Sequence, residues 1–157
     1  PALVALERAV KLLGGAAQRL GACTLFTEQY PRGLGPTLPA LLPALSGAER
    51  FEKVCFSAFE ADGFAARLRE QAVSAVVVLG IEAHVCVFQT VRDLLSAGFV
   101  VHVPIDGVCS RRDDHKQAGL ELCRRAGAVL TTAETVVFDW LERAGSDDFR
   151  ELSKLIR

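Results

Sequence analysis

The stretch Ser74-Ala-Val-Val-Val-Leu-Gly-Ile-Glu-Ala-His-Val-Cys-Val-Phe-Gln-Thr90 decides how this sequence folds. Its apolar, β-branched run over residues 75–79 predicts a strand buried on both faces, which is typical of a parallel sheet. Gly80 ends that run, and from Ala83 the apolar residues recur at helical spacing as far as Gly98. We therefore expect Cys86 in the first turn of a helix at the carboxyl end of a central strand, where open α/β sheets bind their ligands.

Cys86 is a candidate nucleophile because of this position. A helix N-terminus favours negative charge, so a thiol placed there is biased toward thiolate, although many free cysteines are only small buried hydrophobes. The apolar stripe expected to meet the sheet contains Val87, Phe88, Val91, Leu94 and Leu95. Cys86 lies opposite that stripe, in register with Thr90 and Asp93. Cys123, by contrast, falls on the apolar face of its own helix and is predicted to be structural.

Composition limits the kinds of partner. The 157 residues are expected to form a single domain, residues 1–157, with 18 basic and 19 acidic side chains. This balance lacks the clustered basic excess typical of nucleic-acid binding, and no apolar run approaches the roughly 20 residues of a membrane span. We therefore expect neither nucleic acid nor membrane as a partner. Five cysteines without C-x-x-C pairs argue against a disulfide framework and a zinc knuckle, and they favour a reducing, cytoplasmic location.

Strand and helix patterns alternate along the chain. Helices are predicted over residues 2–20, 40–45, 63–71, 83–98, 114–126, 133–144 and 146–157, and strands over residues 22–27, 50–55, 75–79, 99–105 and 128–131. This order predicts an α/β fold, a three-layer Rossmann-like parallel sheet with right-handed crossovers and helices on both faces. Such a domain normally opens with a strand, whereas this chain opens with a helix, so the first strand is missing from this sequence.

Lys53 is the second residue of interest. It lies near the end of the strand predicted over residues 50–55, on the same side of the pleat as Cys55. Most lysines in such places extend the ammonium group to solvent. The alternative is a cation held beside a thiolate, which would favour the ionised thiol and stabilise developing negative charge. Cys55 shares this side of the strand and is a rival nucleophile.

The three histidines are weaker candidates. His84 and Cys86 point about 200° apart on a helix, which is poor geometry for a Cys–His pair. His102 alternates within an apolar strand, which is typical of a core histidine, and His115 is expected to be solvated at a helix start. Cys23 and Cys109 are expected to fill space at a strand and at a loop edge.

Several segments together resemble one known family. They include Gly80-Ile-Glu-Ala-His-Val-Cys-Val87, Phe51-Glu-Lys-Val-Cys-Phe-Ser57, Thr27-Glu-Gln-Tyr-Pro-Arg-Gly-Leu-Gly-Pro36 and Asp106-Gly-Val-Cys-Ser-Arg111. In this order they resemble the isochorismatase-like (cysteine) hydrolase superfamily, and in particular its isochorismatase-domain-containing subgroup. The similarity covers nearly the whole chain.

The resemblance implies a set of catalytic roles. The family uses an Asp–Lys–Cys triad, in which Cys86 matches the nucleophile and Lys53 matches the lysine. A cis peptide bond is implied between Ile81 and Glu82, and the backbone N–H groups of Glu82 and Cys86 are implied to form the oxyanion hole.

The resemblance also implies a substrate class. It points to hydrolysis of a small-molecule, amide- or imide-like carbonyl compound through a thioester, by a homo-oligomer without a cofactor. Nicotinamidase members carry a D-x-H…H metal cluster where this chain has Glu28-Gln-Tyr-Pro31, so neither a metal nor nicotinamide is expected. True isochorismatases lack the cysteine, so Cys86 argues against cleavage of isochorismate. Tyr30, Phe56 and Ile81 are candidate pocket walls.

One departure from the family keeps alternatives open. The triad aspartate belongs to a D-x-Q segment on the first strand, and no residue of this sequence matches it. Without that strand two inner edges of the sheet would be bare, so we expect the natural protein to carry it ahead of this sequence. Otherwise Pro1 is the mature start of an inactive relic. A catalytically silent partner-binding protein, and a thiol redox sensor with Cys55 as the resolving cysteine, also remain possible.

Overall fold

The computed structural model describes residues 2–156. The helices are α1 (Ala2–Leu20), α2 (Pro31–Leu34), α3 (Phe64–Glu70), α4 (Phe88–Ser96), α5 (Asp113–Ala126), α6 (Ala133–Leu141) and α7 (Asp147–Ile156). The strands are β1 (Leu25–Gln29), β2 (Glu49–Lys53), β3 (Ala75–Val77), β4 (Gly80–Ile81), β5 (Val100–Pro104), β6 (Val108–Cys109) and β7 (Val129–Thr131). Short 3₁₀ helices span Pro39–Leu45 and Ala58–Glu60, and a π-helical turn spans Ala83–Val87. Within residues 2–156, no helix combines the length and the apolar character needed to cross a bilayer.

Local sequence explains where the helices begin and end. Helix α5 has acidic residues in its first turn and arginines in its last, which suits the helix dipole, and Gly127 ends it in the left-handed conformation at φ 110°. Helix α7 is capped by the Ser146 hydroxyl, which accepts a hydrogen bond from the Phe149 N–H at 3.0 Å. The predicted end of this helix at Arg157 lies outside the described residues.

All the strand pairings are parallel. Strand β5 lies between β3 and β7, β1 pairs with β2, and β4 pairs with β6. Among residues 2–156, β1 bonds to no strand except β2, and β3 bonds to no strand except β5. Each of these two strands therefore has one open edge, and the residues along them are mostly half-exposed.

Helices cover both faces of the sheet, as the alternating pattern predicted. On one face, helices α3, α4 and α5 pack on the sheet through a cluster that includes Leu68, Val91, Leu94, Val101, Val103 and Leu120. On the other face, helices α1, α6 and α7 share a second cluster that includes Leu12, Leu13, Ala16, Val136, Val137 and Leu152. The fold is a three-layer α/β arrangement with one core on each side of the sheet.

The central segment differs in detail from the sequence prediction. The apolar run over residues 75–79 does not form one continuous strand. Strand β3 ends at Val77, the Val78 N–H still donates to the His102 carbonyl at 2.9 Å, and β4 begins at Gly80, which has φ 141°. The partner of β4 is β6, which lies between residues 105 and 114, where neither a strand nor a helix was predicted. The helix expected from Ala83 begins as a π turn. These differences place the turn that carries Cys86 beyond the end of β4.

Substitution of Gly119 tests how closely α5 packs against the π-helical turn at Ala83–Val87. A Cβ added at Gly119 would lie 2.6 Å from the Ala83 carbonyl carbon and 2.6 Å from the His84 nitrogen. Alanine is a better helix former by about 1 kcal/mol, yet we expect Gly119→Ala to lower the free energy of unfolding by about 1–3 kcal/mol through overpacking. Urea denaturation measures this change. Gln117→Ala, on the exposed side of α5, is the control and should stay within about 0.5 kcal/mol of wild type. A more stable Gly119→Ala variant would contradict the described packing.

Candidate active site

Lys53 is buried at the end of β2, with 7% of its surface exposed. Its Nζ donates hydrogen bonds to the Gln29 side-chain oxygen and to the carbonyls of Cys55, at 3.1 Å, and Phe56, at 2.8 Å. These acceptors are neutral, and no carboxylate within residues 2–156 pairs with this ammonium group. Lys53 is therefore held inside the protein and does not extend to solvent as most lysines do.

The neighbouring strand orients Lys53. Gln29 of β1 lies directly opposite Lys53 in the parallel register. The Gln29 amide nitrogen donates to the Val54 carbonyl at 2.8 Å, which directs the amide oxygen toward Lys53 Nζ. The Tyr30 N–H donates to the Lys53 carbonyl at 2.8 Å. Sequence reasoning missed the role of Gln29, because it depends on how two strands align and not on a local motif.

The electrostatics of Lys53 link it to two thiols. Burial lowers the pKa of Lys53, since it penalises the charged form, whereas the negative charge of the Cys86 and Cys55 thiolates acts to raise that pKa. Both sulfur atoms therefore lie within the field of this ammonium group. A buried cation with only neutral acceptors stabilises an anion that forms nearby.

The π-helical turn changes the hydrogen bonding around Cys86. In an α-helix the Glu82 carbonyl would accept the Cys86 N–H, four residues on. Here that carbonyl accepts from Val85 at 3.1 Å and Val87 at 3.2 Å. Among residues 2–156, the Glu82 N–H makes no hydrogen bond, and the Cys86 N–H makes none outside its own turn. The peptide bond between Ile81 and Glu82 is cis. Within the described residues, the Glu82 N–H is thus an unpaired backbone donor at the start of the turn that carries Cys86.

The other cysteines lie in different environments. Cys109 and Cys123 are buried, and burial raises the pKa of Cys109 and brings that of Cys123 to about 11. This confirms the structural role predicted for Cys123. Cys23 is exposed ahead of β1, so the prediction that it fills space at a strand was wrong. Cys55 is half-buried like Cys86, and its Sγ lies 3.4 Å from the Ser57 carbonyl oxygen.

The three side chains predicted as pocket walls follow or end strands of the sheet on its carboxyl side. Tyr30, Phe56 and Ile81 are each slightly more than half exposed. Tyr30 follows β1, Phe56 supplies a carbonyl to Lys53, and Ile81 ends β4 immediately before the cis bond. The Ser57 hydroxyl is buried in the same segment and has no hydrogen-bond partner within residues 2–156. Two surface cavities of about 460 and 620 Å³ share no lining residue with this site.

A second polar group lies on the far side of the Cys86 turn. Ser110 Oγ lies 3.1 Å from His84 Nδ1, and the His84 and His115 rings are 4.5 Å apart between centroids. The Glu82 carboxylate accepts from the Arg111 N–H at 3.1 Å and pairs with the Arg111 guanidinium at 3.3 Å. His115 is exposed as expected, but its contact with His84 was not predicted, because the two residues are 31 positions apart in the chain.

Comparison with known proteins identifies relatives of the whole chain. Residues 2–135 match the isochorismatase domain. Isochorismatase domain-containing protein 2 of Bos taurus is 37% identical over 141 residues, which are 90% of this chain and 68% of that protein. The structure of MAR1 ribonuclease from Caenorhabditis elegans is 37% identical, with a TM-score of 0.88 over 99% of this chain and 79% of the other.

A more distant structure supports the fold alone. The YcaC gene product of Escherichia coli, described as an octameric hydrolase of unknown specificity, is 20% identical to this chain. Its TM-score is 0.85, over 96% of this chain and 76% of the other. The expected three-layer α/β architecture is therefore confirmed by both close and distant relatives.

Glu28 anchors the loop that carries Tyr30. The Glu28 side chain is buried, accepts the Thr37 N–H at 2.8 Å and pairs with Arg50 at 3.0 Å. The hydrogen bonds from Thr37 hold the pKa of Glu28 below its ordinary value of 4.5, and Arg50 lowers it further. A carboxyl group with a lowered folded-state pKa adds stability above its unfolded pKa, and that stability is lost as the pH falls through the folded value.

We therefore expect Glu28→Gln to destabilise the fold at neutral pH by about 1–2 kcal/mol, because the variant loses charge-assisted hydrogen bonds. The difference from wild type should shrink as the pH falls below 4.5, which urea denaturation at a series of pH values measures. Glu52→Gln is the matched control: Glu52 pairs with the same Arg50 but is exposed, so its loss should cost less than about 0.5 kcal/mol. A difference that does not depend on pH would contradict this account of Glu28.

Proposed function

The chain belongs to the isochorismatase domain family, and we propose that it is a hydrolase whose Cys86 thiolate attacks a small amide- or imide-like carbonyl compound. The observation that carries this proposal is the buried Lys53 ammonium, which has only neutral acceptors and lies in the field of the Cys86 sulfur. A fixed positive charge beside a thiol supports a nucleophile at neutral pH. The half-exposed Tyr30, Phe56 and Ile81 are proposed as walls for the substrate.

The proposed reaction has two steps. The Cys86 sulfur bonds to the carbonyl carbon, and the resulting oxyanion is stabilised by the Glu82 and Cys86 N–H groups together with Lys53. The C–N bond then breaks, the amine leaves with a proton, and a thioester remains on Cys86. Water attacks the thioester, which releases the acid and restores the thiol.

The mechanism also needs an acceptor for the thiol proton. The resemblance assigns this role to an aspartate in a D-x-Q segment, which no residue of this sequence matches. The intact mass of the purified natural protein addresses this requirement. A mass above 16.9 kDa, with a peptide containing D-x-Q, would supply the aspartate. A mass equal to this sequence would favour a silent, partner-binding protein.

Cys86→Ala should lower hydrolysis of a panel of small amides and imides by at least about 1,000-fold, because the nucleophile is lost. Cys55→Ala is the matched control: it removes the rival thiol beside the same lysine and should keep most of the activity. Iodoacetamide should label Cys86 first among the five cysteines, as peptide mass spectrometry measures. Equal labelling without turnover would support the partner-binding alternative. A Cys55–Cys86 disulfide after mild peroxide would support the redox alternative.

RNA cleavage is a second candidate, because MAR1 ribonuclease of Caenorhabditis elegans is among the similar structures. The observation that favours it is the contact between His84 and His115, since two imidazoles can act as acid and base in phosphodiester cleavage. The nearby Arg111 and Arg112 are already paired with carboxylates, which leaves little free positive charge for phosphate groups. For this reason RNA cleavage ranks second.

If RNA is the substrate, His84→Ala and His115→Ala should each lower cleavage of a fluorescent single-stranded RNA by about 100-fold or more. Cys86→Ala should leave that cleavage unchanged, which separates the two candidate reactions. Absence of RNA cleavage by the purified wild-type protein would remove this candidate.

Self-association is a further part of the proposal. The resemblance implies a homo-oligomer, and the described surface exposes several large apolar side chains, including Leu34 and Val54. Burying them against a second copy would remove this apolar area from water. Sedimentation velocity over a range of protein concentrations measures the oligomeric state.

A further inference from the structure

Lys53 and Cys86 are carried by separate segments of the chain. Lys53 ends β2 and is followed by an irregular stretch that leads to the 3₁₀ helix Ala58–Glu60, whereas Cys86 lies in the turn before α4. Charge stabilisation falls off with distance, so the effect of the ammonium group on the sulfur depends on how these two segments are held together.

Thr90 connects the two segments directly. It is 6% exposed, and its hydroxyl accepts the Ala58 N–H at 2.8 Å while donating to the Cys86 carbonyl at 2.7 Å. Lys53 in turn donates to the Phe56 carbonyl, two residues before Ala58. The segment 56–58 is therefore held at one end by the Lys53 ammonium group and at the other by the Thr90 hydroxyl, which also bonds to the backbone of Cys86.

Packing alone does not explain a threonine at this position. The adjacent buried positions of α4 are Val91 and Leu94, and valine has nearly the same shape as threonine. A valine would leave the Ala58 N–H without its acceptor, which is costly for a buried donor. The hydroxyl is thus what distinguishes Thr90 from valine. Its two hydrogen bonds connect the segment after Lys53 to the turn that carries Cys86.

We propose that Thr90 is a positioning residue, whose hydroxyl holds the segment after Lys53 against the Cys86 turn and so sets the distance between the ammonium group and the sulfur. This inference rests on the proposed function, since it deepens the role of the same site. Thr90 touches neither the substrate nor the reacting atoms, and acts through Lys53.

The test measures the rate at which iodoacetamide alkylates Cys86 in the folded protein between about pH 6 and pH 9, where thiols in proteins commonly ionise. Thr90→Val should slow alkylation at neutral pH by about 10-fold or more and move the profile to higher pH, because misplacement of a catalytic group by about 1 Å is costly. Thr90→Ser keeps the hydroxyl and should remain within about threefold of wild type. Ala58→Pro removes the same hydrogen bond from its other end, at a helix position where proline is well tolerated.

A double-variant cycle separates positioning from general loosening of the fold. If Thr90 acts through Lys53, Thr90→Val should have no further effect on alkylation in a Lys53→Met background. Urea denaturation confirms that each variant is folded. If Thr90→Val fails to fold, Ala58→Pro against wild type carries the test.

The outcomes distinguish this inference from the proposed function. Wild-type Cys86 that reacts no faster than Cys23 would overturn both. A fast wild-type Cys86, with Thr90→Val or Ala58→Pro equally fast, would overturn the positioning role alone. Thr90→Ser as slow as Thr90→Val, or an equal loss in the Lys53→Met background, would also overturn the positioning role, because the hydroxyl would then not act through Lys53.

Discussion

The rest of the site depends on one constraint, the burial of the Lys53 ammonium group without a carboxylate partner within residues 2–156. Moving a cation out of water is costly, and three neutral oxygens recover only part of that cost. The remaining unfavourable energy is relieved by any anion that approaches. In the proposed reaction, the Cys86 thiolate and later the oxyanion would be the anions at the carboxyl edge of the sheet, so one interaction would serve both the nucleophile and the charge that forms after attack.

Hydrogen bonds between distant segments hold this arrangement, and most of them involve the backbone. The parallel register of β1 and β2 sets Gln29 against Lys53, and Ser110 Oγ accepts the Ala83 N–H at the start of the π turn. Interactions of this kind keep their geometry while the surrounding side chains vary. The position of Lys53 and of the Cys86 turn is therefore set largely by backbone contacts, whereas Tyr30, Phe56 and Ile81 lie exposed around them.

Much of the architecture could be predicted from the sequence, because periodicity reports which face of an element is buried. Helix α1 was predicted with its observed bounds, and the position of Cys86 in a turn that follows a strand was predicted from the change of period after Gly80, although β3 lies at an edge of the described strands and not at their centre. The burial of Lys53 could not be predicted, since it depends on an acceptor supplied by β1. The π turn could not be predicted either, because five residues are too few for the spacing of apolar residues to distinguish a π turn from an α-helical one.

The π turn has a consequence for how this segment can change in evolution. A π-helical turn contains one residue more than the α-helical turn it replaces, so deleting a single residue from Ala83–Val87 would restore regular α-helix. Everything before the deletion would then rotate by about 100° around the axis relative to α4. Substitutions within the turn preserve the path of its backbone, whereas a deletion would turn the Cys86 thiol away from the Glu82 N–H. The length of this segment is thus more tightly constrained than its composition.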